Sequence, residues 1–163
     1  MQYIAFIGLG SNMDNPKSQL QQAFSELDEL PETRLIARSS LYRSAPVGYL
    51  EQPEFVNAVA KIQTALSPQT LLYSLLKIEH RHGRERTFRN APRTLDMDIL
   101  LYGDMQLHEH GLTIPHPQMH LRQFVLQPLL EIQPDANISG VGQAVMAFQK
   151  CPDQVLERLP ETV

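Results

Sequence analysis

Apolar and polar positions follow two different periods along the chain, and the changes between them predict the order of its elements. Short apolar runs rich in β-branched and aromatic residues predict strands at residues 3–9, 34–44, 55–66, 96–102 and 107–114. Apolar residues spaced three and four apart predict helices that begin at Pro16, at Pro68 and at Met119. The third helix should run to Ile132 with an interruption at Pro128.

Turn and cap residues separate these elements. The run GLGSN at residues 8–12 predicts a turn after the first strand. Asn15 and Ser67 each precede a proline, so each is predicted to be an N-cap, with the proline as the first helical residue. Gly83 is predicted to end the second helix.

The order β-α-β-β-α-β-β-α predicts an α+β fold, in which helices cover the faces of a mainly antiparallel sheet. The 163 residues contain no repeat or linker, so residues 1–163 are expected to form a single domain. Residues 133–163 are rich in proline and glycine and are expected to be a peripheral C-terminal segment with one short helix.

Composition narrows the classes of function. A formal net charge of -4 argues against a general nucleic-acid binder, which normally carries a basic footprint. A single cysteine excludes an intrachain disulfide framework and favours the cytoplasm. No apolar run approaches a membrane span, and no basic segment followed by an apolar one suggests a signal peptide. We therefore expect a cytoplasmic protein without a membrane or nucleic-acid partner.

The clearest candidate chemistry lies at the start of the fourth predicted strand. Asp96 and Asp98 are two residues apart, so their carboxylates project from one face of the strand. Two such carboxylates favour a Mg²⁺ site completed by phosphates and water, although a solvated pair of surface acids gives the same pattern.

A basic segment precedes these carboxylates. Residues 77–93 contain six basic and two acidic residues, and five of the six are arginines, which bind phosphate oxygens through a planar fork. A solvated helix end would explain the first arginines of this run but not those beyond it. Glu79 continues the apolar stripe of the second helix, and we expect it to pair with an arginine or with a ligand hydroxyl.

Several motifs lie at characteristic distances along the chain: GSN at 10–12, SSLYR at 39–43, QPEFVN at 52–57, PRTLDMDIL at 92–100, IPH at 114–116, Arg122 and Phe124. Together they resemble the 6-hydroxymethyl-7,8-dihydropterin pyrophosphokinase family from about residue 3 to residue 135. The resemblance implies a three-layer α-β-α sandwich. It also implies transfer of pyrophosphate from ATP, the co-substrate, to the hydroxymethyl group of a dihydropterin, with AMP as the other product. We expect the protein to act as a monomer.

The resemblance further implies roles for individual residues. Catalytic roles fall to Arg84, Arg93, Asp96 and Asp98, of which the two aspartates hold two Mg²⁺ ions. Pterin-binding roles fall to Ser44, Val47, Phe55, Asn57 and Phe124. Nucleotide-binding roles fall to Glu79, Arg86, Arg89, Ile99, His116 and Arg122. Two alternatives are a diverged, catalytically silent pterin- or nucleotide-binding paralogue, and another Mg²⁺-dependent phosphoryl or nucleotidyl transferase.

Overall fold

The computed structural model describes residues 1–44, 55–83, 94–152 and 156–160. Its strands are β1 (Tyr3–Ser11), β2 (Thr33–Arg38), β3 (Tyr42–Ser44), β4 (Phe55–Thr64), β5 (Asp96–Tyr102), β6 (Leu107–Glu109), β7 (Leu112–Ile114), β8 (Asn137–Ile138), β9 (Gly142–Gln143) and β10 (Leu156–Arg158). Its α-helices are α1 (Pro16–Asp28), α2 (Pro68–Arg81), α3 (Gln123–Ile132) and α4 (Ala144–Lys150). A 3-10 turn at Met119–Leu121 precedes α3.

Six of the strands form one antiparallel sheet in the order β10-β3-β4-β1-β5, with β2 also paired to β4. The pairs β6-β7 and β8-β9 are separate two-stranded hairpins. The central strands β4 and β1 pair on both sides, which satisfies their backbone groups.

Helices cover both faces of this sheet. Residues of α1 and α2 pack with Ile7 of β1 and Ile62 of β4 in a first core. Residues of α3 and α4 pack with Phe6 of β1 and Val59 of β4 in a second core. Neighbouring residues of one strand thus enter opposite cores, as the pleat requires. The predicted α+β class with an antiparallel sheet between helices is confirmed.

Three predicted elements have different bounds in the structure. The predicted strand 34–44 is two strands, because the chain leaves the ladder at Ser39, whose hydroxyl accepts a hydrogen bond from the backbone of Val59 at 2.9 Å. The predicted strand 107–114 is the hairpin β6-β7, which turns at Gly111 with φ of 80°. The predicted third helix breaks at Arg122, whose backbone is extended, and continues through the buried Pro128. Packing of α3 on the sheet outweighs the local preference of proline.

The first strand and its following cap also differ from prediction. β1 continues through the glycines to Ser11, because those residues pair with β4, and all but Ser11 pair with β5 as well. Asn15 is the N-cap residue of α1 and Pro16 begins the helix, as predicted, but Asn15 adopts a left-handed conformation with φ of 68° and its side chain makes no capping hydrogen bond. Ser67 does cap α2, since its hydroxyl accepts a hydrogen bond from the backbone N–H of Thr70 at 3.1 Å. Gly83, with φ of 78°, follows the end of α2 as predicted.

The C-terminal part of the chain adds to both the sheet and the second core. Ala136, Ile138 and Ala144 are buried there, and the short helix expected in this region is α4. β10 pairs with β3 and forms one edge of the sheet. This segment is therefore more closely integrated than the peripheral one expected from its sequence. Within the described part of the chain, no helix is long and apolar enough to cross a membrane.

Candidate active site

A cleft of about 160 Å³ opens on the face of the sheet that carries α3. Four residues expected to bind the pterin line it: Ser44, Phe55, Asn57 and Phe124. Four residues expected to bind metal or nucleotide also line it: Asp96, Asp98, His116 and Arg122. The fold thus brings together side chains from β3, β4, β5, α3 and the segments that precede α3.

The floor of this cleft is formed by Gly8 and Gly10, two glycines of the run predicted to form a turn. Gly8 pairs with Asp98 and Gly10 with Asp96 across the β1-β5 ladder. A methyl group on Gly10 would lie 3.2 Å from the Asn57 side-chain oxygen, which is tighter than ordinary contact. The missing side chains leave the cleft open between the two aspartates and the amide. The signal in the sequence was the alternation of glycine with Ile7 and Leu9, which predicts one bare strand face.

Asp96 and Asp98 share the cleft face of β5, as their spacing predicted. Between and beside them, Met97 and Ile99 are buried in the first core, at 2% and 4% exposure. Both aspartates are half-buried. Oxygen ligands on a stiff strand, open to solvent and to substrate, match the donor set that Mg²⁺ prefers. The side chain of Ile99, which the family resemblance assigns to the nucleotide, lies on the other face of the sheet.

Glu79 lies behind this strand rather than in the cleft. Its side chain is buried, and its Oε2 accepts a hydrogen bond from the backbone N–H of Met97 at 2.6 Å. That N–H belongs to the residue between the two aspartates. Glu79 therefore fixes the outer edge of β5 at the position of the carboxylate pair, and its expected contact with nucleotide stays a prediction.

Asn57 presents its amide at the other end of the cleft. Its side chain is buried at 5% exposure, and its Nδ2 donates a hydrogen bond to the hydroxyl of Ser44 at 2.7 Å. This arrangement leaves the amide oxygen above Gly10, on the cleft side. Phe55, two residues earlier on β4, and Phe124, near the start of α3, supply aromatic surface to the same region.

His116 and Arg122 form the side of the cleft near the carboxylates. The Nδ1 atom of His116 accepts a hydrogen bond from the backbone N–H of Gln118 at 3.1 Å, which leaves the ring proton on Nε2. Burial lowers the pKa of His116, and the positive charge of Arg122 lowers it further, while Asp96 acts in the opposite direction. His116 is therefore a neutral hydrogen-bond donor at pH 7.

Arg122 is also placed against the aromatic wall. Its guanidinium carbon lies 5.6 Å from the centre of the Phe124 ring, within the range of a cation-π contact. The same residue precedes the first turn of α3, so its position depends on the start of that helix. The guanidinium of Arg122 thus borders both the aromatic side of the cleft and the side that carries the aspartates.

Five residues with expected roles lie outside the described residues: Val47, Arg84, Arg86, Arg89 and Arg93. Their roles stay predictions. Among the described residues, no group of three or more histidine, cysteine, aspartate or glutamate side chains could hold a metal. Mg²⁺ held by one or two carboxylates usually completes its ligand set with substrate phosphates and water.

Comparison with known proteins agrees with this geometry. The profile of the family described as 7,8-dihydro-6-hydroxymethylpterin-pyrophosphokinase (HPPK) matches residues 6–134. The 2-amino-4-hydroxy-6-hydroxymethyldihydropteridine pyrophosphokinase of Pseudomonas aeruginosa is 44% identical over 155 residues, covering 95% of this chain and 96% of that protein. The protein of the same name from Haemophilus influenzae is 50% identical over 131 residues, covering 80% of this chain and 82% of that protein.

A solved structure supports the fold independently. The crystal structure of Plasmodium falciparum HPPK-DHPS A437G with STZ-DHP superimposes with a TM-score of 0.71 at 14% identity. The match covers 92% of this chain and 45% of that longer one. With a profile that spans most of the chain and relatives at 44% and 50% identity, this chain belongs to the 7,8-dihydro-6-hydroxymethylpterin-pyrophosphokinase family.

Proposed function

We propose that this protein transfers pyrophosphate from ATP to the hydroxymethyl group of 6-hydroxymethyl-7,8-dihydropterin, which yields AMP and the pterin diphosphate. One observation carries the proposal: a single cleft places an aromatic, amide-bearing half directly beside a half made of carboxylates, histidine and arginine. A flat heterocycle with a reactive hydroxymethyl arm, next to a polyphosphate, fits those two halves.

The aromatic half is suited to a pterin ring. Phe55 and Phe124 come from different elements and both border the cleft, so a flat ring between them would stack on two aromatic faces. Asn57 is held in place by Ser44 and directs its amide oxygen toward the cleft. A fixed acceptor of this kind selects a ring with N–H groups along its edge, because a ring without them would leave a buried oxygen unsatisfied. Val47 is expected to complete this half.

The acidic half is suited to divalent cations. Asp96 and Asp98 provide hard oxygen ligands on one strand face, and we propose that they hold two Mg²⁺ ions together with phosphate oxygens. Bound Mg²⁺ would neutralise phosphate charge during transfer. On the protein side, the carboxylates stay fixed because β1 and Glu79 hold β5 from both edges. Such fixed groups need little reorganisation when charge develops.

The remaining polar groups are suited to the phosphates of ATP. Neutral His116 donates from Nε2, while Arg122 contributes a permanent positive charge at the same side of the cleft. We propose that Arg84 and Arg93 stabilise the charge on the transferred group, and that Arg86 and Arg89 contribute to nucleotide binding with Glu79 and Ile99. Holding both substrates in line lowers the barrier without a covalent intermediate on the enzyme.

The products of the reaction test the proposal. The protein would be incubated with ATP, Mg²⁺ and 6-hydroxymethyl-7,8-dihydropterin, and nucleotides and pterins would be separated by chromatography. We expect AMP and a pterin diphosphate in equal amounts. Formation of ADP would indicate transfer of a single phosphoryl group, and release of free pyrophosphate would indicate nucleotidyl transfer. Binding of both ligands without any product would indicate the catalytically silent paralogue.

We further propose that residues 1–163 form one domain that acts as a monomer in the cytoplasm. Support for the single domain comes from β10, which forms the edge of the sheet beside β3 although it is distant from β3 along the chain. Light scattering coupled to size-exclusion chromatography would test the monomer, and cell fractionation would test the compartment.

A further inference from the structure

Glu131, in the last turn of α3, collects hydrogen bonds from the segment that leads into β3. Its carboxylate accepts from the Ser40 backbone N–H at 3.0 Å, from the Ser40 hydroxyl at 2.9 Å and from the Tyr42 hydroxyl at 2.6 Å. The guanidinium of Arg158 on β10 lies 3.4 Å away. Ser40 and Tyr42 are buried, and the Glu131 side chain is 24% exposed.

This carboxylate meets a need created by the break between β2 and β3. After Ser39 the chain leaves the ladder with β4, and it rejoins at Tyr42. A buried backbone N–H in such a break requires an acceptor, and Glu131 supplies one to Ser40. Within the SSLYR motif at residues 39–43, the Ser40 N–H, the Ser40 hydroxyl and the Tyr42 hydroxyl therefore all donate to the same carboxylate.

The same strand positions the amide of the cleft. Tyr42 pairs with Asn57 across the β3-β4 ladder, and Ser44 lies on the same face of β3 as Tyr42. The Ser44 hydroxyl then accepts the hydrogen bond of the Asn57 amide at 2.7 Å. A continuous series of contacts thus leads from Glu131 through Tyr42 and β3 to the Asn57 amide, which faces the proposed position of the pterin ring.

The other end of α3 carries the aromatic wall. Phe124 lies seven residues before Glu131, about 10 Å along the helix axis. Apolar packing of α3 through Leu126 and Leu129 is not directional and tolerates small shifts along the sheet. Hydrogen bonds at one end of the helix restrict such shifts. We propose that Glu131 is a positioning residue for pterin recognition, which sets the Asn57 amide against the Phe124 ring by tying β3 to α3.

Only a carboxylate suits this position. Among the described residues, the contacts made by Glu131 are all with donors, and each of its two oxygens accepts at least two of them. A glutamine has one acceptor oxygen, and its NH₂ group would face the remaining donors. Burial raises the pKa of Tyr42 to about 12, with further contributions from the hydrogen bond and the negative charge of Glu131, so Tyr42 remains a donor.

The test compares the kinetics of Glu131→Gln and Tyr42→Phe with those of the parent protein. It rests on the proposed function, so pterin affinity is also measured by calorimetry without turnover. We expect Glu131→Gln to raise the KM and the Kd for 6-hydroxymethyl-7,8-dihydropterin by about tenfold, as loss of a charged hydrogen bond would. The KM for ATP should change by less than about twofold. Tyr42→Phe should shift pterin affinity in the same direction by less, and the double variant should fall short of the product of the two changes.

Two controls separate positioning from general loss of stability. Glu157→Gln removes a carboxylate of β10 that forms an ion pair with Arg43 of β3 at 2.9 Å. Because this ion pair is exposed, its loss should leave the affinity for the pterin at the parent value. Leu27→Ala creates a cavity in α1 on the opposite face and lowers stability without touching α3. Leu27→Ala should therefore leave the ratio of the KM for the pterin to the KM for ATP at the parent value.

The outcomes distinguish this inference from the proposed function. Parent protein that binds the pterin but forms no AMP would reject the proposed function, while the affinity ratios would still test Glu131. Pterin affinity of Glu131→Gln equal to that of the parent overturns the inference, and so does an equal loss for both substrates. A parent that does not bind the pterin overturns both. If Glu131→Gln does not fold, parent-like pterin affinity in Tyr42→Phe overturns the inference.

Discussion

Removing one carboxylate of the Asp96 and Asp98 pair should abolish turnover while leaving the fold nearly as stable as before. Residues two apart on a strand are separated by about 6.7 Å, and two negative charges at that distance repel by about 0.6 kcal/mol in water or about 2.5 kcal/mol at an effective dielectric constant of about 20. Both side chains are half-buried at the cleft, so the repulsion exceeds the value in water and approaches the higher one.

Asp96→Asn or Asp98→Asn relieves this repulsion but also weakens other contacts of the substituted side chain. Because the two effects oppose each other, we expect the free energy of unfolding to stay within about 1 kcal/mol of the parent value, a shift in Tm of about 2–4 °C at most for a chain of this size. A structural role in the core would instead cost several kcal/mol.

Ligand binding should change far more than stability. In the parent, Mg²⁺-ATP at about 100 times its Kd adds about 2.7 kcal/mol to the free energy of unfolding. That increase corresponds to a rise in Tm of about 5–11 °C. Either variant should lose most of this rise, because its remaining carboxylate cannot complete the oxygen ligand set.

The assay combines thermal melting, with and without Mg²⁺-ATP, and AMP formation. Asp104→Asn is a matched control, since it removes the same charge from an exposed turn directly after β5. It should retain both turnover and the ligand-induced rise in Tm. A variant at either cleft aspartate that still turns over at the parent rate would refute the metal-binding role, and one that melts far below the parent would indicate a structural role.

Three further substitutions test the walls, the floor and the pH response of the cleft. Phe124→Ala should weaken pterin binding by about 1–3 kcal/mol, on the scale of base stacking, with little change in the Kd for ATP; equal losses would indicate a core residue. Gly10→Ala places a methyl group 3.2 Å from the Asn57 oxygen, so pterin affinity measured by calorimetry should fall while α-helical circular dichroism is retained. Burial and Arg122 lower the pKa of His116 below 6.5, so the unfolded chain takes up that proton first as pH falls. Stability should therefore decline below about pH 6.5 more steeply in the parent than in His116→Gln, as urea unfolding at several pH values would show; parallel curves would contradict the shift.

Local patterns in the sequence predicted the elements whose causes are local. The cap of α2 needed only Ser67 and a donor three residues later, and both lie in one turn of chain. The shared face of Asp96 and Asp98 followed from the two-residue period of a strand. Such features were predictable because no distant residue decides them.

Features that depend on distant pairing were not predictable from local patterns. The break at residues 39–41 depends on two distant hydrogen bonds. The Ser39 hydroxyl accepts from the backbone N–H of Val59, twenty residues away, and the Glu131 carboxylate accepts from the backbone N–H of Ser40, ninety-one residues away. Pro128 continues α3 because the helix packs on the sheet, although a proline alone would end it. Identification of the site residues relied on family resemblance, since spacing along the chain does not bring Phe55 and Phe124 together.

The glycines of β1 were interpreted as a turn signal, but they lie within the strand and line the cleft. Glycine weakens a strand by about 0.5–1 kcal/mol relative to alanine, so two of them on one face of a central strand carry a cost in stability. Packing accounts for Gly8, because a methyl group there would lie 3.2 Å from the Leu100 side chain. Ile7 and Leu9 keep the alternation intact on the opposite face and fill the first core. At Gly10, by contrast, a methyl group would meet the polar Asn57 side-chain oxygen, and no apolar side chain fills that place. Gly10 lies between Asn57 and Asp96 at the cleft, so the cost in stability at this glycine leaves room for substrates.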